Sequence, residues 1–484
     1  MIVSLGFIIL AGRPISADNM TNPVSEDAGW IRVSDGNISV YTQGDPAQAV
    51  PLIATFSQLR SALAQTGVFH VDESATLKVI AFHYEKEFNQ YRLNLGACAF
   101  FQQTRRGEYV VLQDLEPSHR NVSAHEFTHF LLAHVGVTLP LWLNEGLADF
   151  YSTFEIAQDI SGDKVTFGRP VVGRQAILRS YPWLPLDNLF RISTSSSYYS
   201  EPEQMALFYS ESWALAHMLL VSPTYAERFP DFLRALNEGH TSADSLRLVY
   251  NKTPAQVQDD LRDYLDRQHL PLIQLALKKL YAVSASSVAE ISSAEMDVTL
   301  GDLTPNNAKT QAALEGRLTS ASSQLPGRAD AEESLGYLAL GQGKEAEART
   351  HFQLAVDRHS TDANVFFYLA HLEHEGGAPA SQVIPLLTQA LSLKADLTDA
   401  RLELALLAAQ DGKFAQALEA LQKLAAPRPE NAYAAIYTEA YCYAHLEKFS
   451  EAKEAAQRAG AIATKDREHA QVAELLSFVD QQSR

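Results

Sequence analysis

Small residues recur in the last third of this chain at a fixed interval, and that interval constrains the fold more than any other feature. Ala405, Ala417 and Leu421 are matched by Ala440, Ala452 and Ala456 at a shift of 35 residues. Gly336, Ala348, Phe352 and Ala355 repeat the spacing earlier, and Leu369 to Ala390 fits once a short insertion at Gly376-Gly377 is allowed. Self-similarity at such a period marks stacked supersecondary units rather than one globular core. Small side chains let two antiparallel helices of a unit approach closely, and a large one recurs where the next unit packs. Pro429 closes one unit. The pattern predicts four units over about 329–462 and a capping helix to about Val479, so that 329–484 forms an all-α solenoid.

The rest of the chain must hold something else. A length of 484 residues exceeds one ordinary core, and domain sizes of roughly 100–200 residues predict two to four units. With 46% hydrophobic and 20% charged residues the composition is globular. A net charge of −19 without a basic patch excludes a nucleic-acid partner, since such a balance repels phosphate. No stretch approaches 18 uninterrupted apolar residues, so no integral membrane span is expected. Cys98 and Cys442 lie too far apart in the chain for a disulfide framework, and each is read as a small buried hydrophobe. Ile2 to Leu10 is an apolar run of signal-peptide length, and Pro14-Ile15-Ser16-Ala17 can end in cleavage after Ala17. No Lys or Arg precedes the run, and a buried strand is the competing reading. Residues 1–27 are taken as signal peptide and leader, which favours an exported location over the cytoplasm.

Residues 28–282 divide into a mixed α/β part over 28–115 and a mainly helical part over 116–282. Trp30 to Val33, Ile38 to Tyr41 and Thr76 to Ala81 are short β-rich runs, with Asp35-Gly36-Asn37 as a hairpin turn between the first two. Ala49 to Ala64 has helical spacing. Cys98 to Phe101 and Tyr109 to Leu112 bracket Arg105-Arg106-Gly107 as a second hairpin. Pro117 and Ser118 open a helix that stops near Gly136, a second helix begins near Leu141, and helical patterning runs from Glu203 to about Leu280. Residues 283–328, rich in Ser, Ala, Thr and Asn, read as a linker.

His125-Glu126-Phe127-Thr128-His129 carries the chemistry. At 100° per residue the two histidines sit on one helical face, one turn apart, where both imidazoles can reach one zinc ion. Glu126 is placed to take a proton from a water that the ion activates. Sixteen residues past His129 comes Asn144-Glu145-Gly146-Leu147-Ala148-Asp149, in a second helical pattern. Glu145 can be the third ligand of a tetrahedral site with one open position. Asp149, one turn further on, can accept the free N–H of a ligand histidine, and Asn144 is a neighbouring candidate for such support. His134 points away from the ligand face. His217 reads as a buried histidine in preference to a donor.

These residues resemble the gluzincin metallopeptidases, in particular the peptidase MA-like domains that are followed by tetratricopeptide repeats. The C-terminal periodicity resembles the tetratricopeptide repeat itself. The likeness is specific over about 109–150 and looser over 28–280. It implies an α+β zincin-like N-terminal catalytic domain with a helical subdomain, followed by an all-α tetratricopeptide-repeat solenoid. It also implies one zinc per chain bound by His125, His129 and Glu145, with Glu126 as general base. Tyr209 stands about where the aminopeptidase branch places an oxyanion-stabilising tyrosine. The Gly-x-Met-Glu-Asn motif of that branch is absent, and the His129–Glu145 spacing is shorter than there. Gly96-Ala97-Cys98-Ala99-Phe100 is the analogous edge strand and holds no acidic residue, which favours an endopeptidase.

The expected function is zinc-dependent hydrolysis of a peptide or protein substrate, with a protein partner or the substrate recruited on the repeat surface. The alternative is a zincin-like scaffold that binds metal without useful turnover and acts through its repeats. A non-proteolytic zinc hydrolase is a third option.

Overall fold

The computed structural model describes residues 29–92, 97–104, 106–159, 162–171, 173–199, 201–267, 269–278, 287–303, 308–424 and 429–482. The expected signal peptide, Gly96 and Arg105 therefore lie outside the described residues. Two compact units emerge: Met1–Met296 with Asp302–Asn306, and Asp297–Gly301 with Asn307–Arg484. Among the described residues no helix is long and apolar enough to cross a membrane.

The first unit opens with a hairpin of β1 (Trp30–Asp35) and β2 (Ile38–Thr42), turning at Gly36 with φ of 56°. Helix α1 (Pro46–Thr66), capped by the Asp45 side chain, leads to β3 (Leu77–Ala81), and a short α2 (Glu85–Phe88) follows. The strands β4 (Ala99–Gln103) and β5 (Glu108–Leu112) form the second expected hairpin. These strands join one sheet in the order β4-β5-β3-β2-β1-β9, where β9 is Ser287–Ile291. The pairs β2–β3 and β3–β5 are parallel and the others antiparallel, leaving β4 at one edge. Val33, Val40, Val79 and Val110 are fully buried along the sheet, as expected of strands whose branched residues face a core.

After a 3₁₀ turn at Pro117–His119 comes α3 (Arg120–Ala133), then α4 (Leu141–Ser152). Phe127 of α3 stacks on Phe56 of α1 at 4.3 Å, which fixes α3 against the helix that covers the sheet. A hairpin of β6 (Glu155–Asp159) and β7 (Gly162–Phe167) follows, with α5 (Arg174–Ser180) and α6 (Leu186–Leu189). Then come α7 (Pro202–Val221), α8 (Pro223–Ala226), α9 (Phe229–Asn237), α10 (Ser242–Tyr250) and α11 (Pro254–Leu265). α7 is buried along most of its length and packs on α4 at Gly146, where an added Cβ would lie 2.3 Å from the Ser212 carbonyl oxygen. Only glycine admits that approach.

Two expectations are corrected. The helical pattern ends before Ile273, because β8 (Ile273–Ala276) alternates half-buried and exposed residues and pairs with β7. The stretch 283–328, within which the two units meet in sequence, is not without regular structure, since it contains β9, α12 (Ser293–Gly301) and α13 (Ala308–Gln324). In α13 the buried Leu314, Leu318 and Ala321 recur at helical spacing within a Ser- and Ala-rich composition.

The second unit continues as antiparallel helix pairs. They are α14 (Asp330–Gly341) with α15 (Glu345–Asp357), α16 (Ala363–Glu375) with α17 (Ala380–Leu393), α18 (Thr398–Gln410) with α19 (Phe414–Gln422), and α20 (Pro429–His445) with α21 (Phe449–Ile462). The last helix is α22 (Asp466–Gln482). Ala348, Ala405, Ala417, Ala440, Ala452 and Ala456 are all fully buried, as the repeat spacing requires. This unit is a helical-repeat solenoid.

Candidate metal centre

Helix α3 is buried from Val122 to Leu132, so the polar residues of that stretch have little solvent to face. His125, Glu126 and His129 are buried on it, and Glu145 and Asp149 are buried on α4. The two helices pack together and bring His125, His129 and Glu145 into one cluster, with one ligand atom of each within 4.8 Å of the others. His125 Nε2 lies 3.1 Å from His129 Nε2. Glu145 Oε2 is 3.4 Å from the first and 3.3 Å from the second. A tetrahedral zinc with ligands at about 2.0–2.1 Å sets ligand–ligand separations of about 3.3–3.4 Å.

The outer ring nitrogens determine what the inner ones present. His125 Nδ1 faces Asp149 Oδ1 at 3.0 Å, and His129 Nδ1 donates to Asn144 Oδ1 at 2.8 Å. Each Nδ1 faces an acceptor and carries the proton, so both Nε2 atoms offer lone pairs to the same point. Two such lone pairs at 3.1 Å repel unless a positive charge sits between them. The carboxylates draw positive charge to this point, whether a proton or a metal ion carries it. Burial opposes the charged imidazole of His125, yet hydrogen bonds to Asp149 and Glu145 outweigh it and push the group up to about 10. Burial likewise opposes the charged Glu145, but the neighbouring His129 and His125 pull its carboxyl down to about 2. The donor set, two imidazoles and one carboxylate, suits zinc over calcium or magnesium.

Tyr209, from α7, places its ring centroid 6.4 Å from that of His125. Cys98 precedes edge strand β4 and is half-buried, less enclosed than its sequence reading holds. Burial, and after it the charge of Glu126, push its thiol up to about 11. A cavity of about 270 Å³ is lined by His129, Asn144, Leu132, Val137 and Leu139.

His134 stands apart, with its Nε2 3.1 Å from Glu108 Oε2. His217 is buried structural polarity. It sits 2.8 Å from the Tyr264 hydroxyl and donates from Nε2 to the Gly168 carbonyl at 2.7 Å, and burial lowers it to about 4. Sequence reasoning overlooks Arg174, whose Nε donates to Asp149 Oδ2 at 2.9 Å. No local motif marks it, because only the tertiary fold brings α5 to α4.

No family model matches the chain, and no curated protein matches it. Among solved structures it is similar to YrrB, a TPR protein with an unusual peptide-binding site. That match has 19% identity, covers 38% of this chain and 91% of that one, and has a TM-score of 0.32. It is similar to a tetratricopeptide repeat protein from Parabacteroides merdae at 18% identity, covering 39% and 73% of the two chains, with a TM-score of 0.29. A thermophilic TPR protein from Thermus thermophilus matches at 17% identity over 38% and 100% of the two chains, with a TM-score of 0.23.

Proposed function

We propose that the first unit is a zinc-dependent peptidase and that the helical repeats bind a protein partner or the substrate. The observation that carries this reading is the convergence of two imidazole lone pairs and one carboxylate at zinc-like separations, with Glu126 buried beside His125. His125, His129 and Glu145 would hold the ion, and bound zinc would supply Lewis acidity toward a water and a carbonyl oxygen. Asp149 and Asn144 hold the imidazoles in the tautomer the ion needs. Glu126 takes a proton from the attacking water on a carboxylate oxygen and returns it to the leaving amine. Tyr209 is the donor to the developing oxyanion. Edge strand β4 offers backbone groups to an extended peptide, which favours an endopeptidase.

A second reading is a metal-binding scaffold without turnover, acting through its repeats. The observation favouring it is the extent of the helical-repeat unit, since stacked helix pairs are an interaction surface in themselves.

Metal content by mass spectrometry, on wild type and His129→Ala, is measured beside hydrolysis of a quenched mixed-peptide library by wild type and Glu126→Gln. The peptidase reading expects one zinc per chain in wild type, lost in His129→Ala. Cleavage should fall at least about a hundredfold in Glu126→Gln, which keeps its zinc. Stoichiometric zinc with no cleavage by wild type selects the scaffold. A folded wild type that takes up no supplied zinc overturns both.

A further inference from the structure

Arg174 is the first residue of α5, entered from Gly173 in the left-handed conformation at φ of 88°. It is only 7% exposed, which is rare for arginine and demands partners on several sides. Its Nε and its guanidinium carbon meet different groups. Nε donates to Asp149 Oδ2 at 2.9 Å, while His125 Nδ1 faces the other oxygen of that carboxylate at 3.0 Å. The guanidinium carbon lies 5.1 Å from the centre of the Tyr209 ring, the ring that packs beside His125. One side chain thus touches both the group that orients a ligand histidine and the aromatic neighbour of that histidine.

The charges add weight. Glu126, Glu145 and Asp149 are buried carboxylates in one cluster. Arg174 brings a cationic side chain against one of them, Asp149. The planar fork of a guanidinium can donate sideways while its face stacks. An ammonium keeps the charge but lacks both the fork and the face.

We infer that Arg174 is a positioning residue of the metal centre. It fixes the Asp149 carboxylate so that His125 presents Nε2 inward, and it holds the Tyr209 ring beside that histidine. The consequence for metal binding rests on the zinc reading above, whereas the contacts themselves do not.

The test uses the full chain as wild type, Arg174→Met and Arg174→Lys. Zinc affinity is read by competition with a chromophoric chelator, and ligand geometry by the visible spectrum of the cobalt(II)-substituted proteins. Arg174→Met is expected to bind zinc about tenfold more weakly, in line with the loss of outer partners of metal ligands, with an altered cobalt spectrum. Arg174→Lys is expected to fall between the two, and it carries the test alone if Arg174→Met does not fold. Where wild type cleaves peptide, kcat should fall in Arg174→Met with KM little changed. The double variant with Tyr209→Phe should then lose less than the product of the single effects.

Unchanged zinc affinity and cobalt spectrum in folded Arg174→Met overturn the inference. Wild-type behaviour of Arg174→Lys in every readout overturns the claim for fork and face. A wild type that binds zinc but cleaves nothing sinks the peptidase reading alone, because affinity and spectrum still decide the role of Arg174. A wild type that takes up no metal overturns both.

Discussion

A carboxyl group enclosed by protein on every side keeps its proton unless a neighbour compensates the charge. Glu211 on α7 is so enclosed, fully buried two residues beyond Tyr209. One of its oxygens accepts the Leu184 N–H at 2.7 Å, and the other has no hydrogen-bond partner among the described residues. Burial pushes the carboxyl up to about 8, against weaker pulls from the Leu184 amide and Arg262. An unfolded chain releases this proton near 4.5. Between those values the folded state holds the extra proton, so this group makes stability fall as pH rises. The slope reaches at most about 1.4 kcal/mol per pH unit, and the effect saturates above the folded value. Glu211→Gln keeps the shape without the charge. It should match wild type at pH 4.5 and exceed it at pH 8, in urea unfolding followed by tryptophan fluorescence. Parallel pH profiles for the two proteins would assign the titration elsewhere.

Among the elements, the helix pair α14 and α15 meets at a glycine. A Cβ on Gly336 of α14 would stand 2.5 Å from two ring carbons of Phe352 on α15. In an open helix Gly→Ala stabilises by about 0.5–1 kcal/mol. Gly336→Ala should instead destabilise by about 1–3 kcal/mol through overpacking, and Phe352→Leu in that background should recover part of the loss. Thermal unfolding by circular dichroism reads both, and a more stable Gly336→Ala would show that the pair can separate without cost. This pairing was legible in the sequence because the repeat spacing places small and large residues directly. The ligand helices were legible for a related reason, since helical geometry alone puts His125 and His129 on one face and Glu145 and Asp149 on another. Features made by distant partners were hidden. β9 is an edge strand with Val288 exposed, and its partner β1 lies at the far end of the unit's sequence, pairing Trp30 with Ile291. β6, β7 and β8 are only four to six residues long, too short for any alternation to stand out from the sequence around them. Arg174 acquires its meaning only through Asp149 and Tyr209, which no spacing rule connects to it.

Across the whole molecule, the four tryptophans offer a way to observe one unit separately. Trp30, Trp142, Trp183 and Trp213 all belong to the first unit, which also holds the candidate metal ligands. Helical circular dichroism, by contrast, draws on both units, and the repeat unit is almost wholly helical. A ligand that binds only the folded form stabilises it by RT ln(1 + [L]/Kd), about 2.7 kcal/mol at a hundredfold excess over Kd. Zinc held by His125, His129 and Glu145 should therefore raise the unfolding temperature reported by fluorescence. A strong chelator should lower that temperature by several degrees in wild type and leave it unchanged in His129→Ala. The part of the dichroism change that comes from the repeats should not respond to zinc or chelator, because their helices hold no described metal cluster. If fluorescence does not move with zinc while dichroism does, the metal binds in the second unit and the assignment to α3 and α4 fails. If chelator shifts His129→Ala as much as wild type, the stabilising ion is bound somewhere other than this site.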